Sequence, residues 1–274
     1  VFPAYVCKLL FGMPIVIEYE DGLTFHDHPV MRWSARLFYR GQRYVDGAIA
    51  VNERLSGRLR TTNTAIVYGR PSVGMPDELP APISNTEERV LMYAGAFDRV
   101  RGVFEFLSLA EQLLAEHDDI TCWISGYGSD EMHRRVRREV ERFDDDAVEF
   151  FGTLPWDEYR MRLVSADVLL SPQDPAATIS QYTFPSKLLD FMATGNYVVS
   201  TDIEGIDEHF RDKVILGGTT SDSLERAVSD VLDHPEQFAD QTDLAVEWID
   251  RECTYDRIGA KIDQVVTNAT GMEP

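Results

Sequence analysis

Residues 184–202 read FPSKLLDFMATGNYVVSTD and place a lysine directly after Pro-Ser, at the expected first turn of a helix. Only four lysines stand among the chain's 26 lysine and arginine residues, so the position draws on a rare residue type. A cation in a first turn opposes the helix dipole and gains from an anion beside it. Pro185 suits the entry of the helix, Ser186, Lys187 and Leu188 offer free backbone N–H groups, and Gly195 suits its end. Leu188, Leu189, Phe191 and Met192 make the buried stripe, which leaves Lys187 and Asp190 three apart on another face. Phosphate binding is the chemistry this arrangement serves; the plainer alternative is a surface lysine paired with Asp190.

Three other strand-to-helix edges carry residues of the same kind. In YAGAFDRVRG (93–102), Gly95 ends a strand and Arg101-Gly102 opens a helix, where an arginine can fork onto a diphosphate and a glycine lets backbone approach it. In SGYGSD (125–130), Gly126 and Gly128 form a tight turn before a helix. SPQDPAATISQYTF (171–184) is a polar loop, Thr183 near its end, long enough to fold over a ligand. His26 and His28 alternate in a loop with no other clustered ligands, which predicts a polar loop and no metal site. The chain has no D-x-D at a strand end to hold one.

These residues must be positioned by a sheet. MPIVIEYED, GAIAVN and TAIVYG are short β-branched runs that predict three strands, with a helix over HPVMRWSARLFYRGQRYV and a short one over ERLSGRLR. A proline-rich stretch without periodicity then marks a boundary. Beyond it RVLMYAG, ITCWISG, AVEFFG, DVLLSP, YVVST and KVILG alternate with amphipathic helices. Fully apolar strands between such helices predict a parallel sheet covered on both faces. The expected organisation is a first Rossmann-like domain over 1–75, a linker over 76–88, a nucleotide-binding Rossmann-like domain over 89–244, and one C-terminal helix over 245–274 that crosses back to the first domain. Three strands and two helices do not cover a parallel sheet, which predicts further chain upstream of the first domain.

Composition narrows the function classes. A net charge of −21, with acidic residues spread along the chain, repels nucleic acid and anionic surfaces at long range. Abundant carboxylate with scarce lysine predicts a protein adapted to high salt. The three cysteines are far apart and fit neither a disulfide framework nor a zinc site, which predicts a cytoplasmic setting. The longest apolar stretch is broken by Lys8, Gly12 and Pro14 and is too short to span a bilayer.

Taken in order, YAGAFDRVRG, ITCWISGYGS, VEFFGTLPWDEYRMRLVSADVLLSP and FPSKLLDFMATGNYVVSTD resemble the retaining glycosyltransferases of family 4, over about residues 90–205. The FPSKLLDFMATG form is similar to members that build exopolysaccharide or lipopolysaccharide. The resemblance implies an α/β fold of two Rossmann-like domains facing a cleft, the glycosyltransferase B fold. It also implies transfer of a hexose from a nucleoside-diphosphate sugar, UDP or GDP in type, to a glycan or lipid-linked acceptor with retention, without metal or other cofactor. Arg101 and Lys187 are thereby assigned to the donor diphosphate, and Asp190 to the ribose, where the family usually has glutamate. Gly95, Gly126, Gly128, Thr183 and Ser186 are assigned to the nucleotide, and the backbone at Phe151 and Gly152 to the base. Glu20, Asp21 and His26 are assigned to the acceptor side. The chain departs from the family pattern at Ala96, Tyr182 and Glu20, where a basic residue, a glutamate and a histidine are usual. Two alternatives stand beside transfer: an inactive subunit that assembles with an active one, and a sugar-nucleotide epimerase with only Glu20 and His26 as candidate acids and bases. An acceptor at the inner membrane face implies a peripheral contact there.

Overall fold

The structure, a computed structural model, describes residues 2–20, 29–80, 88–144 and 146–271. Two parallel sheets organise them. The first has strands β1 (Val16–Tyr19), β2 (Gly47–Ala50) and β3 (Thr64–Ile66) in that order. Its register sets Val16 against Gly47 and Ala48 against Thr64. Helix α1 (Phe2–Phe11) precedes β1, α2 (Pro29–Gly41) joins β1 to β2, and α3 (Glu53–Ser56) joins β2 to β3. The sequence patterns above did not anticipate α1, because its apolar residues face all round rather than along one stripe; Leu9, Leu10 and Phe11 are largely exposed. Helix α3 is shorter than the pattern ERLSGRLR suggests and stops at Gly57.

The second sheet contains β4 (Arg89–Ala96), β5 (Ile120–Tyr127), β6 (Val148–Gly152), β7 (Val168–Ser171), β8 (Tyr197–Ser200) and β9 (Ile215–Leu216). All neighbours are parallel, and their order is β6-β5-β4-β7-β8-β9. Along β4 alternate side chains enter opposite cores: Leu91 and Tyr93 join one, Val90, Met92 and Ala94 the other, all at most 1% exposed. This is the two-sided burial that a continuous apolar strand foretells. Helices α4 (Val103–Glu116), α5 (Asp130–Val140), α6 (Trp156–Ser165), α7 (Lys187–Ala193), α8 (Ser221–Asp233) and α9 (Ala239–Glu252) accompany it.

The two units are joined more intimately than a loose linker allows. Val73 and Met75, before the proline-rich stretch ends, are buried in the second unit's core. The C-terminal segment is two helices rather than one. In α9, Ala245, Trp248 and Ile249 pack into the second core. Thr254 then caps α10 (Tyr255–Thr270) by accepting from Arg257 N at 3.2 Å. The new direction carries α10 to the first sheet, where Asn63 Nδ2 donates to Val265 O at 2.8 Å.

Candidate nucleotide-binding cavity

In an open parallel sheet, chain reversal to the opposite side leaves a crevice at the carboxyl ends of the two central strands. Here that switch lies between β4, which continues to β5, and its other neighbour β7. A cavity of about 500 Å³ opens there. Its walls come from the ends of β4 and β5, the loop after β6, the start of α7, and Ser72 from the segment between the sheets.

Gly95, Arg101, Gly126, Ser186, Lys187 and Asp190 all line it, although the sequence separates the first and last by almost a hundred positions. Gly128, Phe151, Gly152 and Thr183 are not in its wall. Gly128 packs on Phe97, and Phe151 turns away to Trp123 and beneath the Arg162 guanidinium. Gly152 supports the wall from behind, its carbonyl accepting from Ser125 Oγ at 3.1 Å. Thr183 lies where its carbonyl abuts Gly205. Glu20 is exposed at the end of β1 and outside the cavity. Asp21 and His26 lie outside the described residues.

Lys187 is neither a surface lysine nor the partner of Asp190. Its stem is half-buried, but Nζ is shielded from solvent and has no hydrogen-bond partner among the described residues. The Tyr93 ring lies 5.0 Å from Nζ and the Phe191 ring 5.8 Å. Burial, reinforced by the nearby Arg101 charge and only partly opposed by Asp98, pulls its pKa down to about 7. A cation so placed is unfavourable until an anion enters. The start of α7 also differs from expectation. The helix begins at Lys187, and Leu188 N donates to Pro185 O at 2.9 Å, so that N–H is already used.

Arg101 is held in place from a distant part of the chain. Its Nη1 donates to Gln173 Oε1 at 3.0 Å, and Gln173 Nε2 donates to Ser180 Oγ at 2.8 Å. Gln173 and Ser180 are fully buried. The loop after β7 is therefore a support for Arg101, and no residue between Pro172 and Phe184 lines the cavity. Asp98 fixes the backbone of the same turn by accepting from Arg101 N at 2.7 Å.

Asp190 is committed to the segment between the sheets. Its Oδ1 accepts from Ser72 N at 2.5 Å, Ser72 Oγ at 2.9 Å and Val73 N at 3.1 Å; Oδ2 lies 2.7 Å from Ser72 Oγ. Burial raises its pKa, against the opposing pull of these donors.

Two glycines here are required by packing. A Cβ at Gly126 would sit 1.8 Å from Gly95 O, and one at Gly102 would sit 1.7 Å from Pro172 O, where φ is also +84°. Gly102 thus lets the loop after β7 approach α4, a different service from the ligand approach expected of it.

The sequence patterns passed over Ser72, Tyr127, Trp156, Tyr159 and Gln173. A signal existed for two of them: Tyr127 and Trp156 are aromatic residues at a strand end and a helix start, where solvent is the usual neighbour. Among the described residues, one trio could offer metal ligands, Glu53, Asp207 and His209, with ligand atoms within 4.8 Å of one another. It lies outside the cavity, and Asp207 Oδ2 already accepts from Glu53 N and the Tyr68 hydroxyl.

The family model described as "Glycosyl transferases group 1" matches residues 88–234. WcaL of Escherichia coli (strain K12), named for glycosyl transfer in colanic acid biosynthesis, is 29% identical over 179 residues, covering 63% of this chain and 42% of WcaL. The chain therefore spans less than half of that curated relative. Among solved structures, Anabaena Alr3699/HepE in complex with UDP and glucose superposes with a TM-score of 0.74 at 14% identity, covering 96% of this chain and 74% of HepE. A point mutant of S. aureus TarM in complex with Fondaparinux, alpha-GlcNAc-glycerol and UDP gives 0.69 at 13% identity, covering 98% and 53%. A UDP-forming alpha,alpha-trehalose-phosphate synthase from Burkholderia vietnamiensis gives 0.74 at 10% identity, covering 99% and 70%. At such identities the likeness is one of fold, the glycosyltransferase B fold of paired Rossmann-like sheets.

Proposed function

The chain belongs to the glycosyl transferases of group 1, and from that premise we propose that its cavity takes the nucleoside diphosphate of a sugar donor, UDP or GDP in type. The reaction is transfer of a hexose, with retention, to a glycan or lipid-linked acceptor, as in exopolysaccharide-building members of family 4. The observation that carries this reading is Lys187: a shielded ammonium, unpaired among the described residues, beside Arg101 at the switch point of a parallel sheet. A diphosphate supplies the charge the pair lacks.

Arg101 and Lys187 are the groups for the reaction itself. As the bond from sugar to diphosphate breaks, negative charge grows on the leaving oxygen, and two fixed cations stabilise it without reorganisation. That oxygen can accept the acceptor hydroxyl's proton, so the chemistry calls for no separate protein base and no metal. Gly95, Gly126 and Ser186 line the donor's place. Asp190 Oδ2, whose partner among the described residues is the Ser72 hydroxyl, is the acceptor for a ribose hydroxyl. Gly128, Phe151, Gly152 and Thr183 shape the loops behind that surface. The first sheet, with Glu20 at the end of β1, faces the acceptor, and α10 ties the halves together.

The relatives support the substrate class: HepE is described with UDP and glucose, and TarM with UDP and alpha-GlcNAc-glycerol. No described helix is long and apolar enough to cross a membrane. We place the protein in the cytoplasm, in peripheral contact with the inner membrane face, and its acidic, lysine-poor composition supports a high-salt setting.

Calorimetric titration with UDP and GDP tests the donor site. We expect binding that weakens about 10- to 100-fold in Lys187→Ala, the range for loss of a charge-assisted contact. Absence of binding by folded wild type would refute the donor site. One observation favours the inactive-subunit alternative: Tyr182, at a position where the family usually has glutamate, lies under Arg54 and Arg58, whose guanidinium carbons are 5.1 and 4.2 Å from its ring centre. UDP release from a UDP-hexose in the presence of glycan acceptors separates the two readings, because an inactive subunit binds nucleotide without turnover.

A further inference from the structure

The donor-site reading concerns the second sheet and leaves open how the first sheet is held against it. Units joined by a polar interface move relative to one another by default. Here the interface is built differently, because each unit sets a tyrosine against the core of the other. Tyr68, two residues past β3, packs its ring on Phe184, Phe210 and Trp248 of the second unit, with centroids 4.9, 5.0 and 5.7 Å away. Tyr182, from the loop after β7, packs in return on the first unit's core of Tyr19, Phe38, Ala50 and Leu55. Its ring is the one that Arg54 and Arg58 cover.

Beside Tyr182 stands Asn52, which is fully buried. Its Oδ1 caps α3 by accepting from Leu55 N at 2.8 Å. Its Nδ2 donates across the interface, to Tyr182 O at 2.7 Å and to Gly205 O at 3.2 Å. One amide reaches both carbonyls because the two loops that carry them are pressed together. Gly205 N donates to Ser180 O at 2.9 Å, and a Cβ at Gly205 would sit 2.3 Å from Thr183 O.

The next residue continues the join. Glu53 N, an N–H at the start of α3 where the helix offers no acceptor, donates to Asp207 Oδ2 at 2.9 Å. The same oxygen accepts from the Tyr68 hydroxyl, and Asp207 is buried. The Arg54–Glu204 ion pair at the rim is exposed and contributes little. The buried contacts act together: parting the units brings water to an amide and a carboxylate and uncovers two aromatic rings at once.

We propose that Asn52, Tyr68, Tyr182 and Asp207 form a clasp that holds the first sheet fixed against the second before any ligand binds, with Asn52 and Tyr182 as its positioning residues. The clasp stands apart from the donor-site reading. What it adds to that reading is that the acceptor-side sheet is set in place without help from the nucleotide.

The test uses the full chain. Asn52→Asp keeps the cap, since aspartate also accepts from Leu55 N, and turns a carboxylate oxygen toward two carbonyls. Tyr182→Ala removes the ring, and Tyr182→Phe keeps it. Spin labels at Arg40→Cys in α2 and Asp233→Cys in α8, both exposed, with Cys7→Ser to remove the cysteine that is not buried, report the distance between the units. By pulsed electron paramagnetic resonance, wild type should give one narrow distance that UDP leaves unchanged. Asn52→Asp and Tyr182→Ala should give longer or broader distances without UDP, and Tyr182→Phe the wild-type distance. Calorimetric UDP affinity should stay within about 2-fold of wild type in all three, as for a site not in contact with the change. A general loss of structure would lower it.

Hydrogen exchange on unmodified wild type gives a check that needs no variant. Glu53 N–H, whose hydrogen bond runs across the interface, should exchange about 100-fold or more slowly than in an unfolded peptide, for an open population of about 1% or less. An unprotected Glu53 N–H, or a wild-type distance that shifts when UDP is added, overturns the clasp. Distances in Asn52→Asp and Tyr182→Ala equal to that of wild type overturn it as well. Failure of wild type to bind UDP removes the donor-site reading alone, because the ligand-free distances and the exchange rate still decide the clasp.

Discussion

Replacing Lys187 by methionine should stabilise the nucleotide-free protein while weakening its response to nucleotide. The lysine titrates at 10.5 when free and at about 7 here. Its folded pKa lies below its unfolded one, so the unfolded chain binds more protons between those values and stability rises with pH across that window. The penalty is full below pH 7 and absent above 10.5. At about 1.4 kcal/mol per pKa unit, a shift of this size corresponds to roughly 5 kcal/mol below pH 7. Two effects reduce it. The half-buried stem admits some cavity water, and the cation's approach to Tyr93 and Phe191 returns about 0.5–2 kcal/mol. Methionine keeps the stem's packing and carries no charge, so Lys187→Met should gain about 1–3 kcal/mol at pH 6–7. Urea denaturation of both proteins at fixed salt, at several pH values from 6 to 10 and with or without excess UDP, reads each part. The variant's advantage should be largest at low pH and shrink toward pH 10, and UDP should raise the midpoint of wild type more than that of the variant. A variant less stable than wild type by an amount independent of pH would refute the reasoning, because the ammonium would then not be destabilising in the empty cavity.

Nucleotide binding should itself depend on pH: an anion beside Lys187 raises its pKa, so UDP binding takes up a proton above pH 7 and affinity falls as pH rises from there. Calorimetry in buffers of different ionisation enthalpy measures that uptake, and Lys187→Met should abolish it. Gln173→Ala removes the partner that aims Arg101 and should weaken UDP binding about 3- to 10-fold, in line with loss of one hydrogen bond of about 1 kcal/mol; calorimetry at one pH suffices. Ser72→Ala strips both Asp190 oxygens of a hydroxyl donor and should lower stability by about 1–2 kcal/mol, read from urea midpoints. Gly126→Ala forces a Cβ onto the Gly95 carbonyl and should destabilise by about 3 kcal/mol or more, since backbone rather than a movable side chain stands in the way. Thermal unfolding checks it, and an unaltered midpoint would show that β4 and β5 can part.

Local pattern was enough to read the two parallel sheets, the edges at which chemistry belongs, and the residues Gly95, Arg101, Gly126, Lys187 and Asp190 that meet in the cavity. Strand burial and helix periodicity are properties of neighbouring residues, and in a parallel sheet the useful edge is always the same one, so short-range signals suffice. Helix α1 escaped that reading because it has no single apolar face. The turn at Thr254 escaped it because the apolar residues on its two sides serve different sheets, while one continuous pattern fits both helices.

What the tertiary structure alone decided is which partner each functional side chain has. Three positions along a helix suggested that Lys187 meets Asp190, but Asp190 bonds Ser72, 118 residues away, and Lys187 is left without a partner among the described residues. Arg101 is held by Gln173, 72 residues away, from a loop that had looked like a lid. The first pairing comes from the segment after β3 lying over α7, and the second from the strand order β6-β5-β4-β7, which brings β7 and its loop beside β4. Residue types and spacing along the chain pointed to this edge of the sheet as the place for phosphate chemistry. Burial and electrostatics, which depend on everything packed around a group, determined that the lysine has no partner among the described residues and a pKa far below its usual value.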